Sequence, residues 1–260
     1  MTRVNLHDGA KLIVRPDSST VPVDTRVSFF CRADGNPMPP VVWKRNGHAI
    51  SDPRYVTKSL SNGLSTLRIE PVRLSDGNST ISCSADNGVG SPVVADAHLT
   101  VLPIESLPPG FPVIEAHPVL KSVEQGRTAH VSCRVRGDPR PKVLWLRDLM
   151  PIDVRSNSRY SVSTLGNPGA LMIQQAREED QGKYECVARN AAGVIHSKAA
   201  HLYVKAILSI AISTFRFWQF VRQFVVVLRQ NEFIIIYFAF LFYYLLWLTL
   251  QAVRIADEMY

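Results

Sequence analysis

The sequence lacks the short motifs that most enzymes, metalloproteins and nucleotide-binding proteins carry. It contains no C-x-x-C pair, no G-x-S-x-G motif and no glycine-rich phosphate loop, and its seven histidines are scattered. We therefore expect no catalytic residue, no metal site and no cofactor. No nucleic-acid-binding motif is present either, so the net charge of +7 suits an anionic partner other than nucleic acid.

Long apolar or helical segments are missing before residue 206. Residues 1–20 contain no apolar core of a signal peptide, and no stretch before residue 206 has a helical period of useful length. Short segments such as Arg26–Cys31 and His130–Val135 instead alternate between apolar and polar residues, and turn residues separate them. This alternation is typical of strands with one face buried, so the sequence predicts an all-β protein up to about residue 205.

The chain has few cysteines, and they belong to an internal repeat. They are Cys31, Cys83, Cys133 and Cys186. Trp43 and Trp145 follow the first cysteine of each pair at the same distance, and a Gly-x-Pro-x-Pro run at 35–39 recurs at 137–141. The repeat is about 100 residues long, which is the size of a domain and not of a solenoid unit.

This arrangement resembles the immunoglobulin fold, specifically a tandem pair of I-set-like β-sandwiches. The resemblance implies that the two cysteines of each repeat form a disulfide across two sheets and that the tryptophan covers it. In the second repeat the run Asp180–Cys186 places Tyr184 at the tyrosine-corner position, whereas Ile81 stands there in the first repeat. We therefore expect the first domain to lack the corner hydrogen bond and to be the less stable one.

Persistent disulfides imply an oxidising compartment. Asn78 begins the sequence Asn-Ser-Thr, the one N-glycosylation sequon in the chain, which fits that compartment.

A narrower resemblance depends on five segments. They are Leu67–Arg73, Leu107–Pro112, Val119–Glu124, Asp180–Ala188 and Ala200–Val204. In this order they resemble the first two immunoglobulin domains of the leukocyte common antigen-related (LAR) receptor tyrosine phosphatases. The resemblance covers residues 9–205 and gives a first domain at 9–103, a linker at 104–116 and a second domain at 117–205.

The resemblance implies a non-enzymatic, extracellular recognition segment at the cell surface. Its expected partners are heparan and chondroitin sulfate proteoglycans and synaptic or axonal adhesion proteins. The family's phosphatase site needs a cysteine that an arginine follows six residues later, and no cysteine here fits. Two alternatives stay open: an intracellular structural protein of the muscle immunoglobulin type, and a generic neural cell-adhesion protein.

Basic residues define two candidate polyanion sites. The first consists of Lys44, Arg45, Arg68 and Arg73, which match the family's basic loop and neighbouring positions. Arg68 lies between Leu67 and Ile69, so we expect it to point away from the core into solvent. A secondary patch consists of Arg134, Arg136, Arg140 and Lys142.

The linker is expected to be ordered. It contains three prolines, which restrict the backbone, and an apolar Phe111 that we expect to pack between the domains.

The resemblance ends at residue 205. Residues 206–230 form a basic amphipathic pattern, and 233–253 form an uncharged stretch of about 30 Å in helical form, which predicts a transmembrane helix. The arginines before this stretch favour a cytoplasmic N-terminal side, whereas disulfides require an extracellular one. We therefore expect a truncated receptor fragment with an unrelated hydrophobic tail, with a membrane-anchored short isoform as the second reading.

Overall fold

The computed structural model of the protein describes residues 7–163 and 169–206. This part is made of strands and contains three single-turn 3-10 helices, at Leu74–Asp76, Ile104–Ser106 and Glu178–Asp180, and no α-helix. The predicted all-β class is confirmed. The expected amphipathic segment, beyond Ala206, and the expected transmembrane helix lie outside the described residues. Within the two described ranges, no helix is long and apolar enough to cross a membrane.

The first domain is a sandwich of nine strands. They are β1 Asp8–Val14, β2 Ser19–Pro22, β3 Val27–Asn36, β4 Val41–Arg45, β5 His48–Ala49, β6 Tyr55–Ser59, β7 Leu64–Ile69, β8 Ser79–Ala85 and β9 Val93–Leu102. One sheet has the order β1-β3-β7-β6 and the other β2-β9-β8-β4-β5. Side chains that alternate along β8 and β9 point to the core and to solvent in turn, as period-two patterning requires.

The second domain repeats this plan with shorter strands. They are β10 Val113–Ala116, β11 Lys121–Glu124, β12 Ala129–Val131, β13 Arg134–Arg136, β14 Lys142–Arg147, β15 Met150–Pro151, β16 Tyr160–Val162, β17 Leu171–Ile173, β18 Gly182–Asn190, β19 Gly193–His196 and β20 Ala200–Lys205. The large sheet has the order β11-β20-β18-β14-β15, with β19 beside β18. The remaining strands form two smaller sheets, β12-β17-β16 and β10-β13.

A disulfide and a tryptophan form the centre of each core. Cys31 is bonded to Cys83, and Cys133 to Cys186. In the first domain Trp43 pairs across the strands with the second cysteine, and Trp145 does the same in the second domain. These closely spaced, fully buried groups join the two sheets of each sandwich, so the repeat that the sequence predicts is a repeat of the core.

Each tryptophan also donates one hydrogen bond inside its core. The indole of Trp43 donates to the Ser65 hydroxyl at 2.9 Å, and that of Trp145 to the Gly169 carbonyl at 2.8 Å. A buried indole N–H needs such a partner, because leaving it unpaired costs about 1–3 kcal/mol.

The tyrosine corner is present in the second domain. The Tyr184 hydroxyl donates to the Asp180 carbonyl at 2.6 Å, and both residues are buried. The first domain has Ile81, fully buried, where a hydroxyl would be needed. The lower stability that we expect of the first domain stays a prediction.

Replacing Tyr184 by Phe is expected to lower the free energy of unfolding by about 1–3 kcal/mol, because the buried Asp180 carbonyl loses its donor. The change is measured by chemical denaturation. Tyr203→Phe is the matched control, since Tyr203 is 45% exposed and should change stability little. Equal effects of the two variants would show that the corner bond contributes nothing.

Candidate functional site

The candidate polyanion loop of the first domain is the turn between β4 and β5. Lys44 and Arg45 end β4, and Asn46 and Gly47 form the turn with φ values of 49° and 79°. Asn and Gly tolerate this left-handed conformation better than other residues. Lys44 is exposed, and it makes no ion pair or side-chain hydrogen bond with any residue that the structure describes. Its ammonium group is free for an anion.

Arg45 is tied to the body of the domain. Its guanidinium donates to the Ser75 carbonyl at 2.7 Å and lies 3.2 Å from the Asp76 carboxylate, while its side chain keeps 28% of its exposure. The buried Asp76 also accepts hydrogen bonds from Arg54 at 2.6 and 3.1 Å and from the Tyr55 hydroxyl at 2.9 Å. Burial acts to raise the pKa of Asp76, but these hydrogen bonds outweigh burial and hold the pKa below its ordinary value.

Arg73 belongs to the same end of the domain. It precedes the 3-10 helix Leu74–Asp76, and its amide donates to the Asp76 carboxylate at 2.8 Å. Its side chain is exposed. Arg45 and Arg73 are thus anchored on one buried carboxylate, and Lys44 is the chain neighbour of Arg45. The structure brings Arg45 and Arg73 to the helix Leu74–Asp76, whereas Lys44, which follows the core-facing Trp43 on β4, points to the outer face of the sheet.

The prediction that Arg68 faces solvent is wrong. The alternation along β7 does turn Arg68 away from its own core, but the residue is only 3% exposed because the second domain covers that face. Its guanidinium donates to both carboxylate oxygens of Glu185 on β18, one of them at 2.8 Å. Arg68 is therefore an interdomain residue and is removed from the polyanion site.

A partly exposed ionic cluster surrounds this buried pair. Arg26 lies 3.1 Å from Glu70 and 3.7 Å from Glu185, and Arg68 donates to Glu70 at 3.1 Å. The His196 imidazole, with a side chain 1% exposed, lies 3.8 Å from Glu185. Burial lowers the pKa of His196 against the opposing effect of Glu185, so the imidazole is neutral and two arginines balance two glutamates.

Apolar side chains complete the interface. Leu146, Val187 and Val194 of the second domain pack into the apolar core cluster of the first. At one border of the interface, the Lys58 ammonium donates to the Asp148 carbonyl at 2.8 Å.

The interface was missed at the level of sequence, although a signal for it exists. Leu146 and Val187 follow Trp145 and Cys186 and therefore point away from their own core. The corresponding positions in the first domain are Lys44 and Ser84, which are polar. Outward-facing apolar residues in only one of two repeats indicate a covered face.

Phe111 of the linker packs as the sequence predicts, whereas residues 113–116 of the expected linker form β10, which pairs with β13 of the second domain. Phe111 is 8% exposed and lies against Gly193. A side chain at position 193 would approach the Phe111 ring within 2.2 Å and the Thr20 carbonyl of the first domain within 2.6 Å. Phe111 is therefore packed at the junction of the domains.

The secondary patch is less compact than expected. All four residues, Arg134, Arg136, Arg140 and Lys142, are exposed. However, Arg134 and Arg136 lie on β13, whereas Lys142 begins β14 in a different sheet. Arg136 also lies 3.4 Å from Glu115.

The sequon residue Asn78 is exposed in a turn. It has a φ of 53° and immediately precedes β8. Its side chain is therefore accessible at the end of the domain that carries the loop.

The immunoglobulin I-set domain family matches residues 10–101 and 112–204. The chain belongs to the immunoglobulin I-set family, and its two domains are of the LAR type. It is 68% identical over 199 residues to "Tyrosine-protein phosphatase Lar-like" of Caenorhabditis elegans, covering 76% of this chain and 9% of the relative. It is 43% identical over 197 residues to "Tyrosine-protein phosphatase Lar" of Drosophila melanogaster, covering 75% of this chain and 10% of the relative.

A solved structure supports the same assignment. The N-terminal Ig1-2 module of the Drosophila receptor protein tyrosine phosphatase DLAR aligns with a TM-score of 0.67 and 43% identity, covering 75% of this chain and 98% of that one. The LAR-type resemblance is thereby confirmed. Because the chain spans 9% and 10% of the two relatives, the activity in their names is not assigned to it.

Replacing Arg68 by Met in the LAR-type pair is expected to cost about 3–5 kcal/mol of unfolding free energy, because Glu185 loses its bidentate partner while buried. The double variant with Glu185→Met should regain most of this loss, since no buried charge is left unpaired. Chemical denaturation measures both. Arg32→Met, at an exposed position of β3, is the control. An Arg68→Met effect as small as the control's would refute the interface.

The interface should also weaken in acid. Burial acts to raise the pKa of Glu185, but the bidentate hydrogen bonds from the Arg68 guanidinium outweigh it and lower the pKa to about 2, from an ordinary 4.5. A depressed pKa stabilises the folded pair above pH 4.5, and this contribution is lost as the pH falls towards 2. The stability difference between the parent and Glu185→Gln, measured by denaturation at several pH values, should therefore shrink over this range. A constant difference would contradict the charged state of Glu185.

Proposed function

We propose that this chain is an extracellular recognition segment that binds sulfated glycosaminoglycan chains of proteoglycans and, through its other surfaces, adhesion proteins of neighbouring cells. It performs no catalysis. The observation that carries the proposal is that one end of the first domain has three cationic residues, Arg45 and Arg73 at the helix Leu74–Asp76 and the exposed Lys44 on the outer face of the adjoining sheet. Heparan and chondroitin sulfates present sulfate and carboxylate groups along a chain, and hydrogen bonds between such anions and cationic side chains are charge-assisted.

The relatives support the extracellular setting of this proposal. Relatives in human and chicken are named receptor-type tyrosine-protein phosphatases, with 42% identity over 180 and 179 residues. Both disulfides are present and no free cysteine occurs in the part of the chain that the structure describes, which suits an oxidising compartment. We therefore place the two domains at the cell surface, outside the membrane.

Binding at this site should be weaker than a full lysine loop would give. Asn46 and Ala49 occupy positions where the LAR family usually has Lys. The two positions differ in what they tolerate. Asn46 has a positive φ, and its side-chain oxygen accepts a hydrogen bond from the Thr80 amide at 2.8 Å. Ala49 is exposed and lies directly opposite Lys44 on the paired strand. A lysine at position 49 is accommodated in solvent and adds a second cation opposite Lys44, at the modest cost of like charges on paired strands.

Three substitutions test the site on immobilised heparin with residues 7–206. The corresponding fly module was solved as a domain pair alone, which supports using this fragment. The double variant Lys44→Ala, Arg73→Ala should elute at clearly lower salt than the parent, and Ala49→Lys at higher salt. All retention should vanish near 1 M salt, where screening acts over about 3 Å. These variants spare Arg45, whose guanidinium neutralises the buried Asp76.

A charge-matched control separates the site from general basicity. The double variant Arg155→Ala, Lys198→Ala removes two exposed charges from the second domain. It should elute close to the parent. If instead the control and the Lys44, Arg73 variant elute together, the proposed site is wrong, and Arg134 and Arg140 become the next residues to replace.

A further inference from the structure

The sequon and the polyanion loop are parts of one structural corner. Asn78 is separated from the helix Leu74–Asp76 by one residue and is exposed. The next residue, Ser79, is buried, and its hydroxyl donates to the Asp76 carbonyl at 2.6 Å. This bond fixes the turn that carries Asn78. Its acceptor is Asp76, whose carboxylate also binds Arg45.

The third residue of the sequon is bonded directly to the loop. The Asn46 amide donates to the Thr80 carbonyl at 2.8 Å, and the Thr80 amide donates back to the Asn46 side-chain oxygen at 2.8 Å. Asn46 follows Arg45 in the chain. Beyond this pair, β8 continues alongside β4, with Ile81 opposite Arg45 and Ser82 opposite Lys44.

The segment on the other side of Asn78 binds the remaining cations. Arg73 lies five residues before Asn78, and Arg45 donates to the Ser75 carbonyl three residues before it. Asn78 is therefore flanked by the two chain segments that hold the candidate polyanion site. A bulky group on its side chain would lie at the same end of the domain as Arg45 and Arg73.

We propose that an N-linked glycan on Asn78 gates polyanion binding by the first domain. This inference rests on the proposed function and adds its regulation. The glycan comes from a lipid diphosphate-linked oligosaccharide: the bond between Asn78 Nδ2 and sugar C1 forms, the bond between C1 and the diphosphate oxygen breaks, and Nδ2 loses one proton. No protein cation is neutralised. The glycan acts because a hydrated, bulky chain obstructs the approach of an extended sulfated polymer to Lys44 and Arg73.

An asparagine at position 78 is not by itself evidence for glycosylation, because a φ of 53° favours Asn whether or not the residue is modified. Position 80 is more informative. Its amide and carbonyl make the bonds to Asn46, and backbone groups make such bonds with any non-proline residue at this position. The hydroxyl of Thr80, which lies 3.5 Å from His98 Nδ1 at the surface, completes the sequon.

The experiment compares glycosylated and unglycosylated residues 7–206 on immobilised heparin. The parent is secreted from insect cells behind a signal peptide, and separately prepared from the bacterial periplasm, where this sequon is not modified. Asn78→Gly and Thr80→Val each remove the sequon, and both suit the local backbone, since Gly accepts positive φ and Val suits a strand. Thr80→Ser keeps the sequon and is the matched control.

The insect-cell parent and Thr80→Ser should carry a glycan on Asn78 by mass spectrometry and elute at lower salt than the two sequon-free variants. Trimming the glycan enzymatically to its first sugar should move the parent towards the elution salt of the bacterial protein. In bacterial preparations all four proteins should elute together, which shows that the substitutions themselves leave the site intact.

Two results overturn the gate while leaving the proposed function in place. One is an Asn78 that carries no glycan in the secreted parent. The other is equal elution of glycosylated and unglycosylated parent, both retained more strongly than the Lys44→Ala, Arg73→Ala variant. If the unglycosylated parent elutes together with that variant, the polyanion site itself is wrong and the gate falls with it.

Discussion

Arg68 and Glu185 can be buried only against each other. Removing either charge from water costs several kcal/mol, and contact with a neutral surface does not compensate this desolvation cost. Their pairing therefore fixes which strands of the two domains meet: β7 with its neighbours β3 and β6 on one side, and β14, β18 and β19 on the other. Arg26 and Glu70 add one positive and one negative charge, so the cluster is neutral as a whole. One sheet face of each domain is thereby taken out of solvent.

This pairing makes two nearly equal repeats unequal in function. The second domain has the same buried carboxylate as the first, with Asp180 bound by Arg159 at 2.6 and 3.0 Å and by the Tyr160 hydroxyl. Its turn between β14 and β15 corresponds to the polyanion loop. However, Lys58 of the first domain donates to the Asp148 carbonyl in that turn. This bond ties the second domain's turn to the first domain, whereas the turn at 46–47 of the first domain is exposed.

The sequence predicts the core of each domain well and its surroundings poorly. Cys31, Trp43 and Tyr184 each act within their own sandwich, so their spacing along the chain carries the necessary information. Phe111 could also be predicted, since an apolar residue in a polar linker needs a place to be buried. Arg68 could not, because alternation along a strand tells which side a residue faces and nothing about what lies opposite.

The candidate site shows the same limit. Lys44, Arg45 and Asn46 are adjacent in sequence and look equivalent as members of a basic loop. Their roles differ because of contacts to residues 75, 76 and 80, which are distant in sequence. Charge alone identified the loop, whereas the tertiary contacts decide that Lys44 is free, Arg45 is partly committed to the fold and Asn46 maintains the turn.

A site with few free cations is sensitive to its neighbourhood. Polyanion affinity grows with the number of charge-assisted contacts, so a loop of many lysines tolerates the loss of one contact. Here Lys44 and Arg73 are exposed, and Arg45 keeps about a quarter of its surface while bound to Asp76. Each obstructed contact therefore removes a larger share of the binding. Because the second domain covers one sheet of the first, a ligand cannot bind Arg68 in place of the residues around Asn78. In the proposed function, the balance between the exposed charges and a glycan attached to Asn78 sets the affinity of the domain pair for a sulfated chain.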